Sequence, residues 1–222
     1  MTTRLVGMLP ARAPLAPFDL VFGHALAGEP CHLEAVGSAR VPLPVNRWRR
    51  PADDVDVAMI AECVGATIDV GCGPGRLTVA LAECGHVVLG IDITSASVAA
   101  TADRGGPVLQ RDVFGPLPGE GRWETALLAD GNIGIGGDPV ALLGRIRTLL
   151  TRQGRVVVEV DPPGATSRVV RARLRCDCAR TRPFDWFVLG MDDVVPVARS
   201  AGFRVLGSHE RGERCWTVLE VA

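Results

Sequence analysis

The sequence predicts an α/β fold: a three-layer, doubly wound, seven-stranded sheet, mostly parallel, with an antiparallel C-terminal hairpin strand. Three observations predict it. From residue 67 onward, short β-branched apolar runs alternate with segments of helical periodicity, the pattern of a parallel sheet covered on both faces. The run Ile68-Asp69-Val70-Gly71-Cys72-Gly73-Pro74-Gly75-Arg76 joins a buried-strand signal to alternating glycines and then to a helix. The last two strand patterns, 203–208 and 215–221, are separated by a short stretch containing Gly212. So short a connection forces antiparallel pairing, because a parallel crossover needs about a dozen residues or more.

Residues 1–50 are rich in proline and small residues, and their apolar patch at 18–22 predicts a helix running towards Leu26. This segment reads as an N-terminal cap on a main domain spanning 51–222. Pro51-Ala52-Asp53-Asp54 opens a helix, with acids favourable in its first turn, and Val55, Met59, Ile60 and Val64 follow at helical spacing until Gly65 ends it. A strand at 67–70 then leads through the glycines into a helix at 76–84. Next come a strand at 87–91, a helix at 95–101, and strands around 107–110 and at 125–129. Asp138-Pro139 starts a helix over 139–150, since proline suits the first helical position. A strand at 155–160, an insertion over 161–190 and a helix at 192–201 precede the terminal hairpin.

Composition narrows the function classes. With 222 residues, 47% apolar content and a formal charge of -1, the chain is long enough for one sizeable core and carries no global charge that calls for nucleic acid or an anionic membrane. All 24 basic residues are arginine and tyrosine is absent, which fits a GC-rich bacterial genome. The seven cysteines, Cys31, Cys63, Cys72, Cys84, Cys176, Cys178 and Cys215, are odd in number and irregularly spaced, which fits reduced thiols in a cytoplasm better than a disulfide framework. Cys176-Asp177-Cys178 has no second pair at zinc-ligand spacing, so no metal is expected. Residues 1–10 lack the apolar stretch of a signal peptide, and no run of about 18 apolar residues exists to span a membrane. No feature of the sequence bears on oligomeric state.

Glycines after a strand tolerate positive φ and let a ligand approach the main chain at a helix N-terminus. A dinucleotide fingerprint starting at Gly71 would need a small residue at position 76, where Arg76 stands. The pattern is therefore G-x-G-x-G with Asp69 two residues before it. This resembles motif I of the class I, Rossmann-like S-adenosylmethionine-dependent methyltransferases. The likeness is close from Thr67 to about Asp112 and looser towards the C-terminus.

The resemblance implies a site as well as a fold. Asp69, Gly71, Cys72, Gly73 and Gly75 would lie along the methionine part of S-adenosylmethionine, which leaves as S-adenosylhomocysteine. Asp92, 21 residues after Gly71, can accept both ribose hydroxyls, with Ile93 beside it; a nicotinamide cofactor would also suit that carboxylate. Asp112, with Val113, resembles the residue that bonds the adenine amino group. The loop Asp130-Gly131-Asn132-Ile133 follows the fourth strand, where the family holds the transferred methyl. That makes Asp130 and Gly131 cofactor contacts, Asp130 and Asn132 candidates at the reaction centre, and Asn132 and Ile133 substrate contacts.

A general base is needed only for some acceptors, and His24 in the cap is the histidine best placed to serve as one. Trp48 covers the ligands or anchors the cap; Glu159 and Trp186 are further substrate candidates. The arginines from Arg168 to Arg182 read either as a solvated helix or as a site for an anionic group, with RNA a weaker option. Asp161-Pro162-Pro163-Gly164 lacks the aromatic ring of the DNA amino-methyltransferase motif and follows the wrong strand. The leading expectation is a cytoplasmic methyltransferase acting on O, N or C of a small molecule, possible roles in secondary metabolism included. The alternatives are a non-catalytic S-adenosylmethionine-binding module and a nicotinamide-dependent oxidoreductase.

Overall fold

A computed structural model describes residues 13–35 and 40–222; the reading of residues 1–10 as free of a signal peptide lies outside them. In chain order run α1 (Phe18–Leu26), β1 (His32–Ala35), β2 (Val41–Pro42), α2 (Val45–Arg49), α3 (Asp54–Ile60), β3 (Thr67–Val70), α4 (Arg76–Glu83) and β4 (Val88–Asp92). After them come α5 (Ser95–Asp103), β5 (Val108–Gln110), β6 (Trp123–Leu128), a 3-10 turn at Asn132–Gly137, α6 (Pro139–Leu149), β7 (Leu150–Val160), β8 (Arg168–Arg175), β9 (Phe184–Val188), α7 (Val194–Ser200), β10 (Phe203–Arg211) and β11 (Arg214–Val221).

The main sheet has the order β10-β11-β7-β6-β3-β4-β5. Its first five strands in sequence, β3 to β7, pair in parallel, while β11 is antiparallel to both β7 and β10. Seven strands and a terminal antiparallel hairpin are what the sequence predicts. Both faces are buried, and alternation assigns each strand residue to a side. Ala126 and Leu128 pack with Leu142 and Ile146 of α6, whereas Leu127 packs with Met59 of α3 and Leu77 and Leu81 of α4.

Local chemistry sets the helix starts. Asp53 accepts from the backbone N–H of Val55 and Asp56, and Asp56 returns a bond from the Asp53 N–H at 3.0 Å, closing a capping box. Asp138 caps α6 through Val140 and Ala141, with Pro139 in the first turn. Gly75 opens α4 at φ 83°, and a Cβ there would meet Thr101 Cγ2 at 2.6 Å.

A second, four-stranded antiparallel sheet, ordered β2-β1-β8-β9, covers the carboxyl ends of the parallel strands. It corrects the helical reading of the arginine run. Arg171-Ala172-Arg173-Leu174-Arg175 alternates charge with apolar residues, and Ala172 and Leu174 are buried while the arginines face outward, which is strand periodicity. The N-terminal segment and the 161–190 insertion thus build one lid. Its own small core joins Val21, Ala25, Cys31, Leu174 and Cys176. Among the described residues no helix is long and apolar enough to cross a membrane.

Gly75→Ala tests the tightest turn. A left-handed backbone conformation and the collision with Thr101 together should cost about 2–4 kcal/mol, read as a lower urea midpoint at unchanged slope; a neutral outcome would show that α4 does not depend on that approach.

Candidate active site

The order of the main sheet reverses at β3, whose neighbours β4 and β6 lead away in opposite directions, and ligands bind at the carboxyl ends of strands beside such a switch point. A cavity of about 1060 Å³ opens there, between the glycine turn and the lid.

One half is polar. Gly71 and Gly73 adopt φ 71° and 54°, and the Cβ position of Gly73 faces open space, so a ligand can reach the backbone of the turn. Asp92 ends β4; its Oδ2 accepts from the Gly73 N–H at 3.0 Å, and its Oδ1 accepts from the Thr94 N–H and hydroxyl at 2.8 and 2.7 Å. Burial outweighs these bonds and raises the Asp92 pKa; among the described residues Oδ2 accepts only the Gly73 N–H, which leaves it a lone pair for a ligand hydroxyl. Asp112 bonds the Phe114 N–H and lines the cavity with Cys72, Ile93 and Val113. Asp69 lies beneath the turn, bonded by the Thr78 hydroxyl at 2.7 Å; burial pushes its carboxyl up to about 6.

Asp130 and Asn132 reach the cavity, but in fixed roles. Asn132 donates through Nδ2 to the carbonyls of Val70 and Gly71, both at 2.9 Å, and so ties the loop after β6 to the glycine turn. Asp130 sits at φ 54°, the one positive φ outside glycine among the described residues. Its carboxylate pairs with Arg76 at 2.7 Å and with Arg47, and its N–H donates to Glu159 Oε2 at 2.6 Å. Arg76 also pairs with Asp56, and Arg214 bridges Asp56 at 2.5 Å and Glu159 at 2.7 Å. Three guanidinium groups thus meet three carboxylates. Burial acts to raise the acids, but Arg76 and Arg214 outweigh it at Asp56, as Arg214 does at Glu159, and both carboxyls are held below their ordinary range.

Several sequence expectations change. Asp130 is pinned by two arginines and cannot act as a free base. His24 bonds Glu29 at 2.6 Å on the outer part of the lid and does not line the cavity. Glu159 is committed to Arg214 and to Asp130, not to a substrate. Arg168 is exposed on β8 and bonds the Thr166 carbonyl, and Ile133 is a core residue with 1% exposure. Gly75 and Gly131 shape the turns without bordering the cavity.

The other half is aromatic and apolar. Trp48 of α2 and Trp186 of β9 line it as the sequence suggests, joined by Phe18, Phe22 and Phe184. Phe18 and Phe22 are four apart on α1, a spacing that puts them on one helix face. Arg214 left no sequence signal as a site residue, because its partner Asp56 is 158 positions away.

Two substitutions test the polar half. Arg76→Met removes one of two guanidinium partners from each of Asp56 and Asp130, which keep Arg214 and Arg47, and should cost about 1–3 kcal/mol in urea unfolding. Asp69→Asn tests a pH window. The folded Asp69 pKa of about 6 exceeds the ordinary aspartate value of 3.8, so the native state holds the extra proton and loses stability as pH rises between the two. The variant should therefore gain on the parent by about 2–3 kcal/mol from pH 4 to 6 and hold that gain above; a constant difference across that window would contradict the assignment.

Residues 68–120 match the family model described as a methyltransferase domain. No curated protein sequence matches the chain. Among solved structures, an S-adenosylmethionine-dependent methyltransferase from Bacteroides fragilis, in complex with S-adenosylhomocysteine, superposes with TM-score 0.77 at 20% identity, covering 94% of this chain and 98% of that one. The 1,6-didemethyltoxoflavin N1-methyltransferase of Burkholderia thailandensis gives TM-score 0.62 at 18% identity, covering 96% and 94%. The CcbJ methyltransferase of Streptomyces caelestis gives 0.60 at 15% identity, covering 79% and 92%. The segment from β3 to just beyond β5 thus matches a methyltransferase domain model, and the chain as a whole shares the fold of solved S-adenosylmethionine-dependent methyltransferases.

Proposed function

We propose that the protein transfers the methyl group of S-adenosylmethionine to a small-molecule acceptor enclosed beneath the lid. The observation that carries this reading is a single cavity with two unlike ends. Its polar end presents a glycine turn and the Asp92 carboxylate at the switch point, and its other end is an apolar chamber outside the nucleotide position. At about 1060 Å³ it slightly exceeds the range of about 300–1000 Å³ usual for one drug-sized ligand, which leaves space for an acceptor beside a cofactor. The neighbour from Burkholderia thailandensis, named for a small heterocyclic substrate, supports a small acceptor here.

In this reading Gly71 and Gly73 receive the methionine part, Asp92 the ribose diol and Asp112 the adenine amino group. Bound there, S-adenosylmethionine would supply a sulfonium methyl to the acceptor's lone pair, its carbon–sulfur electron pair staying on sulfur, and any acceptor proton would pass to bulk water on product release. The protein contributes position. Asn132 fixes the loop at the junction of the two halves, Arg47 and Arg76 hold Asp130 still, and the aromatic lid excludes water. Among the described residues no histidine lines the cavity. Proximity, not a general base, is the source of rate. Free thiols at all seven cysteines support the cytoplasmic expectation.

Calorimetry with S-adenosylhomocysteine tests the reading, and no heat at high micromolar ligand would end it. Asp92→Ala should weaken binding by about 1–3 kcal/mol, the cost of losing a charged hydrogen-bond acceptor. The parent's affinity should fall as acid protonates Asp92, at a pH that burial moves upward; an Asp92→Ala affinity equal to the parent's would remove the diol from this residue.

A further inference from the structure

We infer that the acceptor is a planar aromatic compound, bound against the ring ladder of the lid. This deepens the methyltransferase reading and rests on it for the transfer, though the ring site stands on its own geometry. The chain has ten aromatic residues, six Phe and four Trp, and five of them line this one cavity. They form a connected ladder. Trp48 stacks on Phe22 with centroids 5.8 Å apart, and Phe22 on Phe18 at 5.7 Å; Phe18 meets Phe184 edge-on at 5.4 Å, and Phe184 meets Trp186 edge-on at 6.3 Å. The ladder draws on α1, α2 and β9, so elements from both ends of the lid converge to build it.

Such rings favour a flat partner over a puckered one, because offset stacking and edge contacts add to simple apolar burial. The reacting atom must also carry its own lone pair at neutral pH, since Asp130 is held by Arg47 and Arg76. A ring nitrogen or an acidic ring hydroxyl meets that need.

Three probes of similar size test this on the protein saturated with S-adenosylhomocysteine: 2-naphthol, decahydro-2-naphthol and naphthalene, followed by calorimetry. Both flat probes should bind at least tenfold tighter than decahydro-2-naphthol. Phe184→Leu should weaken both flat probes and spare decahydro-2-naphthol. Unchanged S-adenosylhomocysteine affinity confirms that the variant is folded. Equal binding of the flat and puckered alcohols would overturn the ring site. Failure of S-adenosylhomocysteine to bind while 2-naphthol still does would defeat the methyltransferase reading and leave the ring site standing.

Discussion

The buried ion network of Arg47, Arg76 and Arg214 with Asp56, Asp130 and Glu159 is the constraint on which the site depends. Its members come from α2, α4 and β11 on one side, and from α3, the loop after β6 and β7 on the other. Burying a charge carries a desolvation penalty of several kcal/mol, and here each carboxylate shares two guanidinium groups, so displacing one element weakens the pairing of the others. The network fixes Asp130 at an unfavourable positive φ and turns the following Gly131-Asn132 back against the glycine turn. Cofactor turn, reaction-centre loop and lid are thereby held in register by one set of contacts. Arg76 also explains why the turn departs from the dinucleotide pattern: the place of the third glycine is taken by the arginine on which the network is centred.

A preorganised site of this kind suits methyl transfer. Positive charge disperses as the methyl moves, and little is gained from a new charged group beside it; holding acceptor, methyl and sulfur in line supplies most of the effect. Asp130 illustrates the trade. A carboxylate facing the reaction end would be the obvious base, yet two guanidinium groups hold its lone pairs, and its value to the enzyme is geometric. Asp69 below it goes further, as a buried carboxyl whose single hydroxyl partner leaves it with a raised pKa. Stability is conceded there to keep the end of β3 rigid under the glycines.

How much of this was legible depended on range. The strand–glycine–helix unit, the aspartates closing β4 and β5 and the terminal hairpin all rest on patterns within some twenty residues, and local sequence carries them. Asp138-Pro139 likewise announced α6. The lid was not legible, because β1 finds its partner β8 more than a hundred positions later, and neither strand has a turn to advertise the pairing. The alternation in Arg171-Ala172-Arg173-Leu174-Arg175 was a usable signal for β8, masked by the density of arginine. The ion network was beyond reach for the same reason: Asp56 reads as a helix-capping acid, Glu159 as a residue at a strand end, and only folding reveals that Arg214 joins them.

This division by range also has a functional logic. The cofactor half is built from one contiguous βαβα segment, so its geometry is set early and locally, and contacts of low sequence separation are the ones that form with least loop-closure entropy. The acceptor half is assembled from α1, α2 and β9, segments joined through long-range strand pairing. The halves meet at several points: Asp19 of α1 accepts from the Ser95 N–H that opens α5, the Arg104 guanidinium donates to the Arg49 carbonyl, and Arg47 pairs with Asp130. Under the proposed function, a fold arranged this way would keep its methyl donor constant while the lid selects the acceptor, with those contacts coupling the lid's position to the strand ends.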